Sequence, residues 1–267
     1  MKLKLPIPLY VDQIKYTEVE ITKPIADVMF KTKKTIDSGD YFSGMKTFLE
    51  GCVVTVGNIS DKDHIKRLLA EMPINSAEYL AMQIMLLEYP EDDGVEGIYR
   101  CPRCGTDKIA ELKDEIDTRD FISDLNVNNY DGDNEITMDV EEVVITNKST
   151  KEILLSVNSL SLRFPVFKDF IEAAHKVGYQ NGVDIQKEVY IKCIIKVDGK
   201  EIDNKIRNKY GSKIIGKLSN KDLNKFGRKI NEYGLDNKVD KVCNHCNKQW
   251  KATINTTNFF VSALPSN

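Results

Sequence analysis

The sequence predicts a mainly helical α+β protein in which one domain occurs twice. The main observation is a constant separation between similar features: Pro24 and Pro165 are as far apart in the chain as Cys52 and Cys193. We call this separation the repeat offset. Each half also carries one Cys-x-x-Cys motif, and the separation of the two motifs exceeds the repeat offset by a single position. An internal repeat sets the domain count before any other fold argument. We therefore expect a tandem internal duplication with small β-hairpins.

The similarity between the halves extends over whole segments. Residues 18–24 align with 159–165, and residues 52–56 align with 193–197. Apolar positions coincide even where the residues differ. Chance similarity between two helical segments is the alternative, but the ordered series of matches favours duplication.

The length and composition suit two soluble domains. A chain of 267 residues divides into domains of about 130 residues each, near the usual domain size. We assign residues 1–128 to the first repeat, 129–150 to a linker and hairpin, and 151–267 to the second repeat. The net charge of −3 gives no general attraction to nucleic acid. The sequence shows neither a membrane-span pattern nor a secretory signal, which predicts an intracellular protein.

The first half begins with strand-like alternation and continues with helical spacing. Residues 7–21 alternate between apolar and polar side chains, which predicts a hairpin. Pro24 is placed in the first turn of a helix over about 24–36, where helices accept proline. Apolar residues at spacings of three and four from Phe42 to Val56 favour a second helix, despite the β-branched residues near its end.

The second half repeats that helical spacing between Ile185 and Val197, which strengthens the helix prediction. Further helices are predicted in each half from serines that can accept the free backbone N–H groups of a first turn. These serines open helices that extend to about residues 72, 88 and 233: Ser60, Ser76 (followed by Glu78) and Ser219.

The segment from 126 to 150 is rich in asparagine, aspartate and glycine, and it marks the junction between the copies. Asp131, Asp133 and Glu135 have the spacing of a calcium loop. No glutamate stands at the end position that such a loop needs, and no helix pair flanks it. We therefore interpret the segment as a plain linker.

The cysteines predict a metal site. In a reducing compartment, Cys-x-x-Cys pairs are metal ligands rather than a disulfide framework. Cys101 and Cys104 supply half of a tetrahedral site, and Cys243 and Cys246 supply the other half. Together they would form a closed structural Zn²⁺ site, a zinc-knuckle pair between copies that face each other about a pseudo-twofold axis. Pairs completed by a neighbouring subunit and a degenerate, metal-free site remain alternatives.

Other chemistry is less well supported. A thiol–disulfide enzyme places its Cys-x-x-Cys at a helix N-terminus, whereas these pairs follow loops. Cys52 and Cys193 lie on apolar helical faces and are predicted to be small buried hydrophobic residues. His245 is predicted to be a solvated loop residue. The sequence contains no phosphate loop, nucleophile elbow, zinc-protease helix or paired-carboxylate motif, so we expect no enzyme activity.

The order of features carries a resemblance to a known family. The first copy shows Leu5-Pro6-Ile7-Pro8, a strand into Pro24 and a helix that ends near Cys52. The second copy shows the segments 193–199 and 218–223, then Cys243-x-x-Cys246 followed by Phe259-Phe260 and Pro265. This order resembles the T4-type baseplate hub and tail-assembly proteins of contractile-tailed phages and related particles such as R-type bacteriocins, and the resemblance covers most of the chain.

The resemblance implies a non-enzymatic structural or assembly component of the virion tail baseplate, made in the cytoplasm of the bacterial host. Its partners would be other hub proteins and the tail tube or spike. A trimer of two-copy subunits would match a threefold spike to a sixfold tube, so we expect a homotrimer. Adjacent aromatic residues often anchor interfaces, which makes Phe259 and Phe260 candidate partner-binding residues. Packing of this last segment on its own domain is the alternative.

A zinc-ribbon nucleic-acid-binding protein is the competing class. The late region is basic, which such a protein requires. Its basic residues are Lys192, Lys196, Lys200, Lys205, Arg207, Lys209, Lys213, Lys217 and Lys221. A lysine-rich helical stretch is usually a solvated face, however, and aromatic residues that stack on bases are sparse there. Nucleic acid is therefore not expected as a partner.

Overall fold

The chain has a mixed α+β fold, more extensively stranded than the sequence predicts. The computed structural model describes residues 1–88, 95–105, 117–122, 125–236, 238–253 and 264. Within these residues the chain forms eight helices and five antiparallel sheets of two to four strands. None of the described helices combines the length and apolar character needed to cross a bilayer.

The first half is built on a three-stranded sheet. Strands β1 (Lys2–Val11) and β2 (Ile14–Ile21) form the predicted hairpin, and β3 (Val53–Val56) pairs with β2. The hairpin turn places Asp12 and Gln13 at φ values of 50° and 65°. Two successive positive φ values are typical of the type I′ turn, which matches the twist of the paired strands.

Four helices pack with this sheet: α1 (Ala26–Asp37), α2 (Tyr41–Cys52), α3 (Lys62–Ala70) and α4 (Ile74–Glu88). Helices α1 and α2 approach closely because α2 carries Gly44 and Gly51 at the contact. An added Cβ would lie 2.5 Å from Ile36 Cγ1 at the first glycine and 2.5 Å from Val28 Cγ2 at the second. Larger residues at these positions would force the helices apart.

Three short strands follow α4. Strands β4 (Val95–Arg100) and β5 (Asp117–Ile122) form a two-stranded sheet. Strand β6 (Val127–Asn128) instead pairs with β11 (Gly234–Leu235) from the end of the second half. A strand near the end of the second half therefore pairs with a strand of the first half.

The second half is built on a four-stranded sheet, which contains β7 (Ile136–Thr146), β8 (Ile153–Leu162), β9 (Ile194–Val197) and β10 (Lys200–Glu201). The strand order in this sheet is β10-β9-β8-β7. Its helices are α5 (Phe167–Val177), α6 (Gly182–Cys193), α7 (Asn204–Ile215) and α8 (Asn220–Asn231). A final hairpin of β12 (Lys238–Val242) and β13 (Gln249–Thr253) follows.

The two larger sheets have the same strand register once one is shifted by the repeat offset. Val19 of β2 pairs with Val56 of β3, and the equivalent Leu160 of β8 pairs with the equivalent Val197 of β9. Both pairings shift register at the same point, just beyond these pairs on β2 and on β8. Helices α2 and α6 also begin and end at equivalent positions.

The predicted continuation of α2 to Val56 was wrong, and so was the equivalent continuation of α6 to Val197. Each helix ends at a cysteine, and the next four residues form a strand that pairs with the hairpin before it. Valine and isoleucine dominate both four-residue segments, and β-branched side chains favour strands. Pairing with the edge of the hairpin decides the structure of these residues. The apolar spacing within a short segment contains no information about that pairing.

One of the predicted serine caps is confirmed and another was wrong. Ser219 precedes α8 and accepts a hydrogen bond from the Asp222 N–H at 3.2 Å. Ser60 does not cap α3, because Asp61 occupies the N-cap and accepts from the His64 N–H at 2.8 Å. A carboxylate at the N-cap also interacts favourably with the helix dipole.

Pro24 and Ser76 occupy positions other than those predicted. Pro24 lies outside α1, which begins at Ala26 after an N-cap at Ile25. Ser76 lies inside the first turn of α4, and its hydroxyl joins that helix to β1. The hydroxyl donates to the Ile7 carbonyl at 2.7 Å and accepts from the Ile7 N–H at 3.0 Å.

The two halves are packed against each other through interlocked cores. Ile7 of β1 lies in the core of the second half, and Phe167 of α5 lies in the core of the first. The backbones also pair at this contact. The Ile74 N–H donates to the Pro165 carbonyl at 3.0 Å, and the Phe167 N–H donates to the Met72 carbonyl at 3.1 Å.

A cavity of about 240 Å³ lies between the halves. The rings of Phe42 and Phe170 line it and stack at a centroid distance of 4.6 Å. Glu78 of α4 lines it as well, and its carboxylate has no hydrogen bond or ion pair to any described residue. Burial raises the pKa of the Glu78 carboxyl from its usual 4.5 to about 7.

The charge of Glu78 is therefore expected to weaken the fold above neutral pH. The unfolded chain ionises this carboxyl at lower pH than the folded chain, so stability falls as the pH rises from 4.5 to about 7. We expect Glu78→Gln to raise the free energy of unfolding by up to about 3 kcal/mol at about pH 8, and by little at about pH 4. Urea denaturation at both pH values measures this, with the exposed Glu88→Gln on the same helix as the matched control. An equal effect of Glu78→Gln at the two pH values would contradict the expectation.

Candidate metal centre

Each Cys-x-x-Cys pair lies on a turn beside a small hairpin. Cys101 follows the last residue of β4, and Cys243 follows the last residue of β12. Strand β13 begins shortly after Cys246. Two short hairpins, one from each half of the chain, therefore present the four predicted ligands.

The two turns have the same backbone hydrogen bond. The Gly105 N–H donates to the Cys101 carbonyl at 2.8 Å, and the Asn247 N–H donates to the Cys243 carbonyl at 2.9 Å. A Cβ at Gly105 would lie only 2.7 Å from the Cys101 carbonyl oxygen, so this turn needs glycine. Asn247 has a φ of 54°, a conformation that asparagine tolerates better than most residues.

The structure brings the four predicted ligands together. Their Sγ atoms all lie within 4.8 Å of one another, and the Sγ atoms of Cys101 and Cys246 are 3.8 Å apart. Four thiolates around one tetrahedral zinc ion lie about 3.8 Å apart, given a metal–sulfur bond of about 2.3 Å. Cys101 and Cys243 are fully buried, while Cys104 and Cys246 retain some exposure. The cluster can hold a metal ion.

Hydrogen bonding prepares one of the thiols for ionisation. Burial acts to raise the pKa of Cys101, but hydrogen bonds from the backbone of Cys104 and Arg103 outweigh it and leave the pKa at about 7. The opposite holds for Cys104, whose pKa is raised to about 12 by its hydrogen bond to Cys246, then by burial. Four clustered and largely buried thiols cannot all ionise without a cation among them, and a divalent metal ion would supply that charge.

The surroundings of the cluster combine apolar and cationic groups. Trp250 of β13 packs against the buried cysteines. Lys241, which lies on β12 just before Cys243, is buried, and its Nζ lies 4.5 Å from the centroid of the Tyr99 ring. An ion held by four thiolates carries a net negative charge, which a buried lysine on the adjoining strand partly offsets.

The remaining cysteines behave as predicted from their apolar neighbours. Cys52 and Cys193 are fully buried at the ends of α2 and α6. Burial raises the pKa of Cys52 to about 12, and it also raises the pKa of Cys193. These thiols pack in the two cores and lie outside the four-cysteine cluster.

The other residues that the sequence singled out lie at the surface or outside the described residues. His245 is exposed on its turn, as predicted. The candidate partner-binding residues Phe259 and Phe260 lie outside the described part of the chain. None of the four clustered cysteines lies at the start of a described helix, where a redox-active pair would be expected.

The cavity that contains Glu78 was missed by sequence reasoning. Glu78 was noted only as part of the helix start at Ser76, and no motif marks its burial. The residues that line the cavity come from both halves, with Glu78 on α4 and Tyr190 on α6. Only the packing of the halves creates this environment.

Comparisons of the chain with protein-family models, with curated proteins and with solved structures found no match. No family or structural neighbour therefore assigns a role to the four cysteines or to the cavity.

Proposed function

We propose that this chain is a non-enzymatic structural or assembly component of the baseplate hub of a contractile phage tail or tail-like particle, contacting tube or spike proteins. One observation carries the structural part of the proposal. The four clustered thiols come from two hairpins, one in each half of the chain, and form one largely buried site. The baseplate assignment itself is supported by the resemblance of the ordered sequence features.

The proposal includes an internal duplication. Two sheets share one strand register at the repeat offset, and each is followed by a helix pair and a cysteine turn. The hydrogen bonds at the ends of the sheets follow the same offset, since the Thr22 N–H donates to the Cys52 carbonyl and the Arg163 N–H donates to the Cys193 carbonyl. Shared irregularities of this kind support descent from one repeated unit.

The proposed metal is zinc in a structural role. A site with four cysteine ligands is typical of structural zinc, whereas catalytic zinc keeps one position open for water or substrate. The ion would join the two hairpins and so connect residues near 101 with residues near 243. Such a cross-link stabilises the packing of one half on the other.

Some basic residues of the late region interact with acceptors of the chain itself, which argues against the nucleic-acid-binding alternative at those positions. Lys196 pairs with Glu135 at 2.7 Å, and Lys192 pairs with Glu172. Lys217 donates to the Val144 carbonyl at 2.6 Å. These ammonium groups interact with acceptors of their own fold. They are therefore less available for phosphate binding, which depends on cations that are free to displace counterions.

Particle composition tests the proposed function. A tagged copy of the chain would be expressed from the genome that encodes it, and tail particles and their assembly intermediates would be purified. We expect the chain in baseplate-containing fractions, in a copy number divisible by three. Absence from both the particles and the intermediates would contradict the proposal, and salt-sensitive binding to DNA would favour the alternative.

A further inference from the structure

The cavity between the halves contains acceptors that lack donors. Glu78 is the only charged residue among the described residues that line it. Asn75 lies beside it, and its Nδ2 donates to the carbonyls of Ile230 at 3.2 Å and Tyr233 at 2.8 Å. The Asn75 Oδ1 is buried and has no partner among the described residues. Glu78 is partly buried, and a partly buried carboxylate without a partner weakens a fold, so a ligand that supplies a hydrogen-bond donor to it would be bound favourably.

The walls of the cavity suit a cation. Phe42, Phe170 and Tyr190 contribute aromatic rings to it. Aromatic faces attract ammonium and guanidinium groups, and the attraction strengthens where water is excluded. The volume of about 240 Å³ accommodates such a group but is smaller than the usual pocket for a whole drug-sized ligand.

A larger groove adjoins the cavity. It has a volume of about 820 Å³ and lies along α6 and α8. Four residues line both spaces: Gln186, Tyr190, Gly227 and Asn231. Lys187 and Arg228 line only the groove, where they are exposed and make no ion pair with any described residue. The anionic Glu78 therefore lies in the cavity, and the cationic Lys187 and Arg228 lie in the groove.

Gly227 lies where the linings of the two spaces overlap, and it adds no side chain there. It lies inside α8, where glycine is less favourable than alanine. An added Cβ would meet only the Tyr190 hydroxyl, at an ordinary contact distance of 3.4 Å. Packing of the described residues therefore does not require glycine here, whereas a larger side chain would occupy space where the cavity and the groove share their lining.

From this charge pattern we infer that the cavity and groove bind a dipolar ligand of the basic amino-acid type. Its guanidinium or ammonium group lies in the cavity beside Glu78, and its carboxylate lies in the groove near Lys187 and Arg228. Each end of such a ligand meets the charge that the protein leaves uncompensated. This site is distinct from the four-cysteine cluster.

Isothermal titration calorimetry with the full chain tests the inference at about pH 8, where the Glu78 carboxyl is ionised. We expect saturable binding of L-arginine or L-lysine. L-citrulline, which has the shape of arginine without its cation, and agmatine, which lacks the carboxylate, should each bind about tenfold more weakly or worse. Absence of saturable binding by both basic amino acids would overturn the inference, and so would citrulline or agmatine binding as tightly as arginine.

Two variants locate the binding. Glu78→Gln removes the charge without changing the shape of the side chain. Gly227→Leu places a bulky side chain in the lining that the cavity and the groove share, while leaving Glu78 in place. Each should weaken arginine binding by about tenfold or more, with folding verified by thermal denaturation. The exposed Glu88→Gln should bind arginine normally. Unchanged affinity in a folded Glu78→Gln protein would show that arginine binds elsewhere and would refute the site.

Discussion

Replacing Cys243 by serine is expected to abolish metal retention and to lower the free energy of unfolding by about 5 kcal/mol or more. Structural zinc sites contribute their binding free energy to folding, which reaches about 10–16 kcal/mol in small zinc peptides. Three remaining thiols and a hydroxyl hold zinc far more weakly than four thiolates. Metal content after dialysis against a chelator, followed by urea denaturation, measures both effects.

Two further variants make this result specific to the shared site. Cys104→Ser removes a ligand from the other hairpin and should reproduce the loss, because both halves supply the same ion. Cys52→Ala removes a fully buried thiol from the core and should cost only about 1 kcal/mol, with metal retained. If Cys104→Ser and Cys243→Ser each kept one metal ion per chain at full stability, the four cysteines would not form one site.

The second large effect is expected at a partly buried ion pair in the second half. Arg163 donates to both carboxylate oxygens of Asp169, at 2.6 Å and 2.8 Å. The same carboxylate accepts from the Val166 N–H at 3.0 Å, so it also fixes the start of α5. We expect Asp169→Val to lower the free energy of unfolding by about 3–5 kcal/mol, because it leaves a partly buried guanidinium without its partner. Urea denaturation checks the size of the loss.

The first half supplies a control for this pair. In the first half, at positions shifted by the repeat offset, Thr22 stands in place of Arg163 and Val28 in place of Asp169. The double variant Arg163→Thr/Asp169→Val should therefore be more stable than Asp169→Val alone, since removing both charges removes the unpaired one. A double variant as unstable as the sum of its single variants would show that the two residues do not interact.

Sequence reasoning succeeded where local signals and packing agree. The first hairpin was predicted from alternating residues, and the structure forms it as β1 and β2. The four cysteines were predicted as one ligand set because each Cys-x-x-Cys pair supplies half of a tetrahedral site, and their sulfur atoms lie together. In both cases a short sequence pattern determines the local structure: alternating apolar and polar residues favour paired strands, and each Cys-x-x-Cys motif presents two thiols on one turn.

The wrong predictions have a common cause, which is the effect of long-range contacts. Residues 53–56 were predicted to be helical because their apolar spacing continues that of α2, but strand pairing with β2 decides their structure. Ser76 was predicted to be a cap, although its hydroxyl bonds to Ile7, far away in sequence. The environment of Glu78 depends on residues of the other half. Long-range contacts of this kind leave no signal in a local window of sequence.

Native mass spectrometry of the purified chain tests the central claim most directly, because it counts metal ions and subunits in one experiment. The four-cysteine cluster predicts one zinc ion for each chain in every oligomer observed, and the proposed function predicts a trimer. Acid denaturation should release the ion and leave the mass of the bare chain. A chain that carries no metal, or a dimer that carries a single ion, would contradict the claim that one chain closes the site with ligands from both its halves.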